Sequence, residues 1–99
     1  MNFVITPRAR AQVERARLWW GENRDKAPGL LVQELAEAEQ HLMTLPESGP
    51  VWRIRGKQPI RRWMLEKTAY HLYYVYRPHR QEVLVLAVWS ARRGRQPKL

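Results

Sequence analysis

No cysteine occurs among the 99 residues, which excludes a disulfide framework, a thiolate metal site and a cysteine nucleophile and is compatible with a reducing cytoplasm. No stretch approaches the ~20 apolar residues of a membrane span, and Met1 to Pro7 lacks the long apolar core of a secretory leader. The chain therefore reads as soluble and cytoplasmic, with no membrane to meet. Repeats and low-complexity tracts are also missing. Acid is scarce in one half only. Residues 50–99 hold twelve Lys and Arg against Glu66 and Glu82, a balance of +10, whereas residues 1–49 balance at −1. The net charge of +9 thus travels with the second half and points to an acidic partner, nucleic acid or protein. A basic surface that serves only solubility is the bland alternative.

What is present in that half is strand-forming sequence. Tyr70-His71-Leu72-Tyr73-Tyr74-Val75-Tyr76 is dense in aromatic and β-branched residues. It ends at Arg77-Pro78-His79-Arg80 and is followed by the apolar run Val83 to Trp89, a pattern that predicts a β-hairpin. The unbroken second run predicts an interior strand, covered on both faces. Ile60 to Glu66 precedes the hairpin as a third strand, and Val51 to Gly56 is a candidate short extra one. Lys57-Gln58-Pro59 reads as a loop.

In the first half, Phe3-Val4-Ile5 is a short strand, and Thr6-Pro7 places a hydroxyl at the N-cap and proline at the first helical position. Ala9, Val13, Ala16 and Trp20 then form one stripe on a helix over 7–23. After a break from Gly21 to Pro28, with proline again suited to a first turn, Leu31, Leu35, Ala38, Leu42 and Leu45 form the stripe of a helix over 28–45. Glu34, Glu37 and Glu39 fall on other faces and read as solvated surface. Trp20 is expected in the core; Trp19 suits a core corner or a partner-binding edge. The simplest architecture is α+β in one domain over 1–99: strand, helix, helix, then a three- or four-stranded antiparallel meander, with the helix hairpin packed on one face of the sheet.

Taken in order, the helix hairpin, Arg61-Arg62, Tyr70-His71-Leu72-Tyr73-Tyr74, Val83 to Trp89 and Arg92-Arg93-Gly94 resemble the RelE/ParE superfamily of bacterial toxins across nearly the whole chain. The resemblance implies a toxin encoded beside a cognate antitoxin that silences it. Two activities occur on this fold, poisoning of DNA gyrase (ParE-like) and cleavage of messenger RNA in the ribosome (RelE-like), so the fold cannot choose between them. RNA cleavage needs a proton acceptor, a proton donor and cations at the phosphate, and arginine supplies only the last. The resembling nucleases carry a tyrosine or histidine in the C-terminal tail. Arg92 to Leu99 has neither, and His71 stands where an arginine is usual.

The ParE-like reading is therefore the closer one, with Ser90 departing from the histidine often found there. It implies Arg61, Arg62, Arg92 and Arg93 as one target-binding surface, and an antitoxin contacting Trp19, Arg53, Arg55 and Arg62. Strand alternation puts Leu72, Tyr74 and Tyr76 on one face and His71, Tyr73 and Val75 on the other. If the second face is open, His71 is the candidate base of a nuclease, against the plainer reading of a partly buried, hydrogen-bonded histidine. No cofactor is expected. No metal is expected either, because His41, His71 and His79 lie on three elements without a close carboxylate pair. A basic nucleic-acid-binding module without toxicity is the alternative of another class.

Overall fold

The aromatic run 70–77 forms the middle strand of a five-stranded sheet. The computed structural model describes residues 1–23 and 27–99. It gives β1 (Asn2–Ile5), α1 (Pro7–Asn23), α2 (Leu30–Thr44), β2 (Val51–Arg55), β3 (Gln58–Leu65), β4 (Tyr70–Arg77), a 3-10 turn at Pro78–Arg80, and β5 (Glu82–Ser90). The order across the sheet is β1-β5-β4-β3-β2. Strands β2 to β5 form an antiparallel meander, and β1 joins β5 in parallel, Phe3 opposite Val83. β5 is thus interior, as its continuous apolar run requires, and the fold is α+β with both helices against the sheet.

Element edges differ from the sequence expectation in three places. Gln58 and Pro59 belong to β3, opposite Arg55 and Ile54, so the turn shrinks to Gly56-Lys57, where Gly56 has φ of +64°, a value glycine adopts without steric cost. The second helix starts at Leu30, because Leu30 N–H first closes a turn onto Ala27 O at 3.2 Å and leaves Pro28 outside. The middle of the preceding break, 24–26, lies outside the described residues. Leu45 follows the helix end and is exposed.

On α1, Ala9, Ala16 and Trp20 are buried with Val13 beside them, and the Thr6 hydroxyl accepts from Ala9 N–H at 3.1 Å as the expected cap. Gln12 is buried too. Its side-chain oxygen accepts from Val88 N–H at 2.8 Å, beside a β-bulge where Tyr73 opposes Ala87 but Tyr74 opposes Val85. The bulge disrupts the ladder, and the glutamine supplies an acceptor next to it. On α2, Leu31, Ala38 and Leu42 are buried, Leu35 only partly. Glu34 corrects the expectation of a solvated face. It is buried, and its carboxylate accepts from Lys67 N–H (2.9 Å), Thr68 N–H (2.8 Å) and the Thr68 hydroxyl (2.7 Å), fixing the β3–β4 turn in which Ala69 takes φ of +60°.

The alternation along β4 holds, with Leu72 and Tyr74 in the core beneath the helices and Tyr73 and Val75 in a second core on the far face. That far face is covered over Tyr73 and Val75 and left open toward Met64 and His71. Trp52 from β2 meets Tyr73 edge-on at 4.9 Å, and the chain after β5 folds back so that Leu99, like Leu84, Leu86 and Trp89, packs against the cluster of Ile60, Tyr73, Val75 and Ala87. Trp89 Nε1 donates to Arg95 O at 2.9 Å and Arg8 to Lys98 O at 2.7 Å, which tie the tail down.

Candidate functional site

Arg61 and Arg62 are consecutive on β3 and so point to opposite faces. Arg61 turns toward the helix side, where Nη1 donates to both Glu47 O and Gly49 O at 2.9 Å, and Nη2 lies 3.5 Å from the Glu47 carboxylate. Tyr74 works on the same loop: its hydroxyl donates to Pro46 O at 2.8 Å and accepts from Gly49 N–H at 3.0 Å. Arg61 therefore holds the α2–β2 connection. The expected single surface of four arginines is not assembled, because Arg62 lies on the far face and Arg92 and Arg93 lie at the end of β5.

Arg62 shares a far-face groove with Trp52, Met64, Glu66 and His71. His71 is partly buried, opposite Met64 and Trp89 in the sheet, with its ring 6.0 Å from that of Tyr73. Burial, helped by the Arg62 charge, holds its imidazole below the ordinary value of 6.5, so at neutral pH it is uncharged and able to accept a proton. Tyr73 is almost fully buried and does not look out beside it.

The second groove lies between α1 and the end of β5, lined by Gln12, Arg15, Trp19, Tyr70, Ser90, Arg92 and Arg93 among others. Its mouth is built by a short turn. The Ser90 hydroxyl accepts from Arg92 N–H at 3.2 Å, Ser90 O accepts from Arg93 N–H at 3.3 Å, and Ala91 N–H reaches Ala69 O at 2.8 Å. Arg93 lies over the Trp89 ring, 4.1 Å from its centroid, an arrangement worth about 0.5–1 kcal/mol at an exposed site. Ser90 is thus a structural part of the turn that presents both arginines. Burial raises the Tyr70 phenol above its ordinary value, against a smaller downward pull from Arg93 and Arg92.

Trp19 is exposed on this groove while Trp20 is core, donating to Ala27 O at 2.7 Å. Arg53 and Arg55 are on β2 at the opposite edge of the sheet, Arg53 stacked 4.2 Å from the Trp52 ring centroid. A partner reaching Trp19, Arg53, Arg55 and Arg62 together has to wrap the sheet. His41 stacks on Trp63 at 4.4 Å and shares a 3.0 Å hydrogen bond with Ser48. Among the described residues no group of three or more His, Asp or Glu is arranged to hold a metal ion, and no helix is long and apolar enough to cross a membrane.

Sequence reasoning missed Arg15, Gln12 and Glu34. Nothing in the sequence marks Arg15, and Tyr70 stands out only as one of four tyrosines between 70 and 76; their meeting depends on α1 packing over β5. No protein-family model matches the chain, and no curated protein matches it.

Proposed function

We propose that the chain is the toxin of a type II toxin–antitoxin pair, of ParE-like rather than RelE-like kind, which inhibits DNA gyrase by binding it and is neutralised by a cognate antitoxin. The reading rests on the ordered resemblance of helix hairpin, tyrosine-rich strand and terminal arginines. The observation that carries the choice of activity is the Ser90–Arg93 turn: it presents Arg92 and Arg93 in a groove whose side chains include no carboxylate or histidine. Such a set binds an acidic surface and offers no proton acceptor matched to neutral pH. The antitoxin is proposed to pair acidic side chains with Arg53, Arg55 and Arg62 and to cover apolar surface near Trp19. Exposed Val51 and Ile54 on the same β2 edge suit such a cover.

One observation favours the RelE-like alternative, an endoribonuclease acting on ribosome-bound messenger. Arg62 and an uncharged His71 line the same groove, which would give a base and a cation for a phosphodiester. Expression without the neighbouring gene separates the two. Growth arrest with DNA breaks, relieved by Arg92→Ala with Arg93→Ala and not by His71→Ala, supports the gyrase reading. Messenger cleavage relieved by His71→Ala reverses it. Absence of arrest, together with failure to co-purify with a tagged product of the adjacent gene at ~0.15 M salt, leaves the basic nucleic-acid-binding module.

A further inference from the structure

We propose that the groove between α1 and the end of β5 is a binding site for a phosphodiester group of single-stranded nucleic acid, held by Arg15, Arg92 and Arg93 with the Tyr70 and Ser90 hydroxyls as additional donors. The inference stands on the groove alone and does not require the chain to be a toxin. Three arginines line a cleft of about 420 Å³ whose lining includes no carboxylate, and none of the three is in an ion pair among the described residues. An anion in the cleft would supply the counter-charge they lack.

The second observation is Tyr70. It is 9% exposed, lines the cleft, and its hydroxyl takes no hydrogen-bond partner among the described residues. No buried side-chain nitrogen or oxygen among the described residues lacks a partner, so this hydroxyl meets the groove's solvent rather than the core. A neutral phenol is a donor as well as an acceptor, and its raised pKa keeps the proton in place. The Ser90 oxygen already accepts from Arg92 N–H, which leaves its proton pointing elsewhere. Planar forks and hydroxyl donors together match the two non-bridging oxygens of a phosphodiester. Trp19 and Trp89 also line this groove, and the stacked Arg93–Trp89 pair sets a cation beside aromatic rings, the combination that single-strand sites use.

The test uses the full chain and a fluorescently labelled dodecathymidylate read by anisotropy. Arg92→Ala with Arg93→Ala should weaken binding about tenfold or more and reduce the slope of log affinity against log salt by ~0.7 for each phosphate that is no longer neutralised. Lys57→Ala with Arg80→Ala removes the same charge at the other end of the sheet and should change affinity less than about threefold, the effect of general field alone. Tyr70→Phe, which keeps the ring, should weaken binding a few-fold with an unchanged thermal unfolding curve. An equal loss in the Lys57/Arg80 variant, or none in Tyr70→Phe and the arginine variant alike, overturns the site. So does competition by hexaglutamate as strong as by an unlabelled oligonucleotide of equal charge, since the groove would then read charge and not phosphate.

Discussion

Leu72 and Tyr73 are neighbours on β4 and both are almost fully buried, yet they lie under different covers. Leu72 faces two helices whose stripes supply Ala9, Ala16, Trp20, Leu31, Ala38 and Leu42. Tyr73 faces a second, smaller core closed at its margins by Trp52 and Leu99, one from an edge strand and one from the tail. The first cover is a pair of long elements, so removing one side chain leaves the rest in place. The second is one ring from an edge strand and a tail tied down by two hydrogen bonds. The difference is between a core and a seal.

The largest expected effect tests the first cover. Leu42→Ala should cost about 2–5 kcal/mol, as buried leucine deletions do, whereas Leu35→Ala, only partly buried, should cost less. Urea midpoints with unchanged slope measure this. Equal costs at the two positions would contradict the burial pattern of α2.

Next in size is the polar fixing of the turns that join the helix layer to the sheet. Glu34→Ala leaves Thr68 N–H and Lys67 N–H without their acceptor and should cost about 1–3 kcal/mol. Tyr74→Phe removes the donor to Pro46 O and the acceptor for Gly49 N–H and belongs in the same range. At Gly49 an added Cβ would meet the Tyr74 hydroxyl at 2.6 Å, closer than van der Waals contact, so Gly49→Ala should destabilise by displacing that same latch. The Gly49→Ala and Tyr74→Phe effects should combine to less than their sum, because they break one unit.

These turns also mark where sequence reading stops. The stripes on α1 and α2 and the alternation on β4 were legible because period and composition agree locally. Glu34 was not, since a carboxylate on the flank of an apolar stripe looks the same whether it meets water or the backbone of a turn far along the chain. Arg61 and Arg62 look alike as a pair, and only the strand's pleat assigns one to a loop and the other to a groove. The tail's share of the far-face cover depends on its folding back through Trp89 and Arg8, long-range contacts that no local pattern encodes. The Arg15, Tyr70, Arg92 and Arg93 groove is likewise a product of packing, with only Arg92 and Arg93 visible beforehand as part of an arginine-rich tail.

Smaller effects probe the seal. Leu99→Ala or Trp52→Ala should cost less than Leu42→Ala, about 1–2 kcal/mol, because both residues remain partly in water and the transfer gain scales with area removed from it. The sharper readout is amide exchange. Tail substitution should speed exchange in the 84–89 segment while leaving α2 unchanged, a local opening rather than global unfolding. Matching acceleration in both would mean that the two cores open together.

The smallest expected effect is a pH dependence confined to the far face. His71 sits there with its pKa held below 6.5 by burial and by Arg62, and Glu66 is the acid lining the same groove. A histidine whose folded pKa is depressed binds fewer protons folded than unfolded, so the stability contributed by its neutral form is present above the unfolded value near 6.5 and is lost as pH falls through the folded value. Stability should therefore decline below about pH 6.5, and His71→Gln, which keeps a polar side chain but cannot titrate, should flatten that part of the profile. Arg62→Gln should flatten it partly, since the arginine is the lesser of the two causes. The measurement is the urea midpoint between pH 7.5 and 5, taken for the parent and both variants. A parent profile that rises toward pH 5, or a His71→Gln profile with the parent's slope, would show that the far-face histidine is charged or solvated in the folded chain.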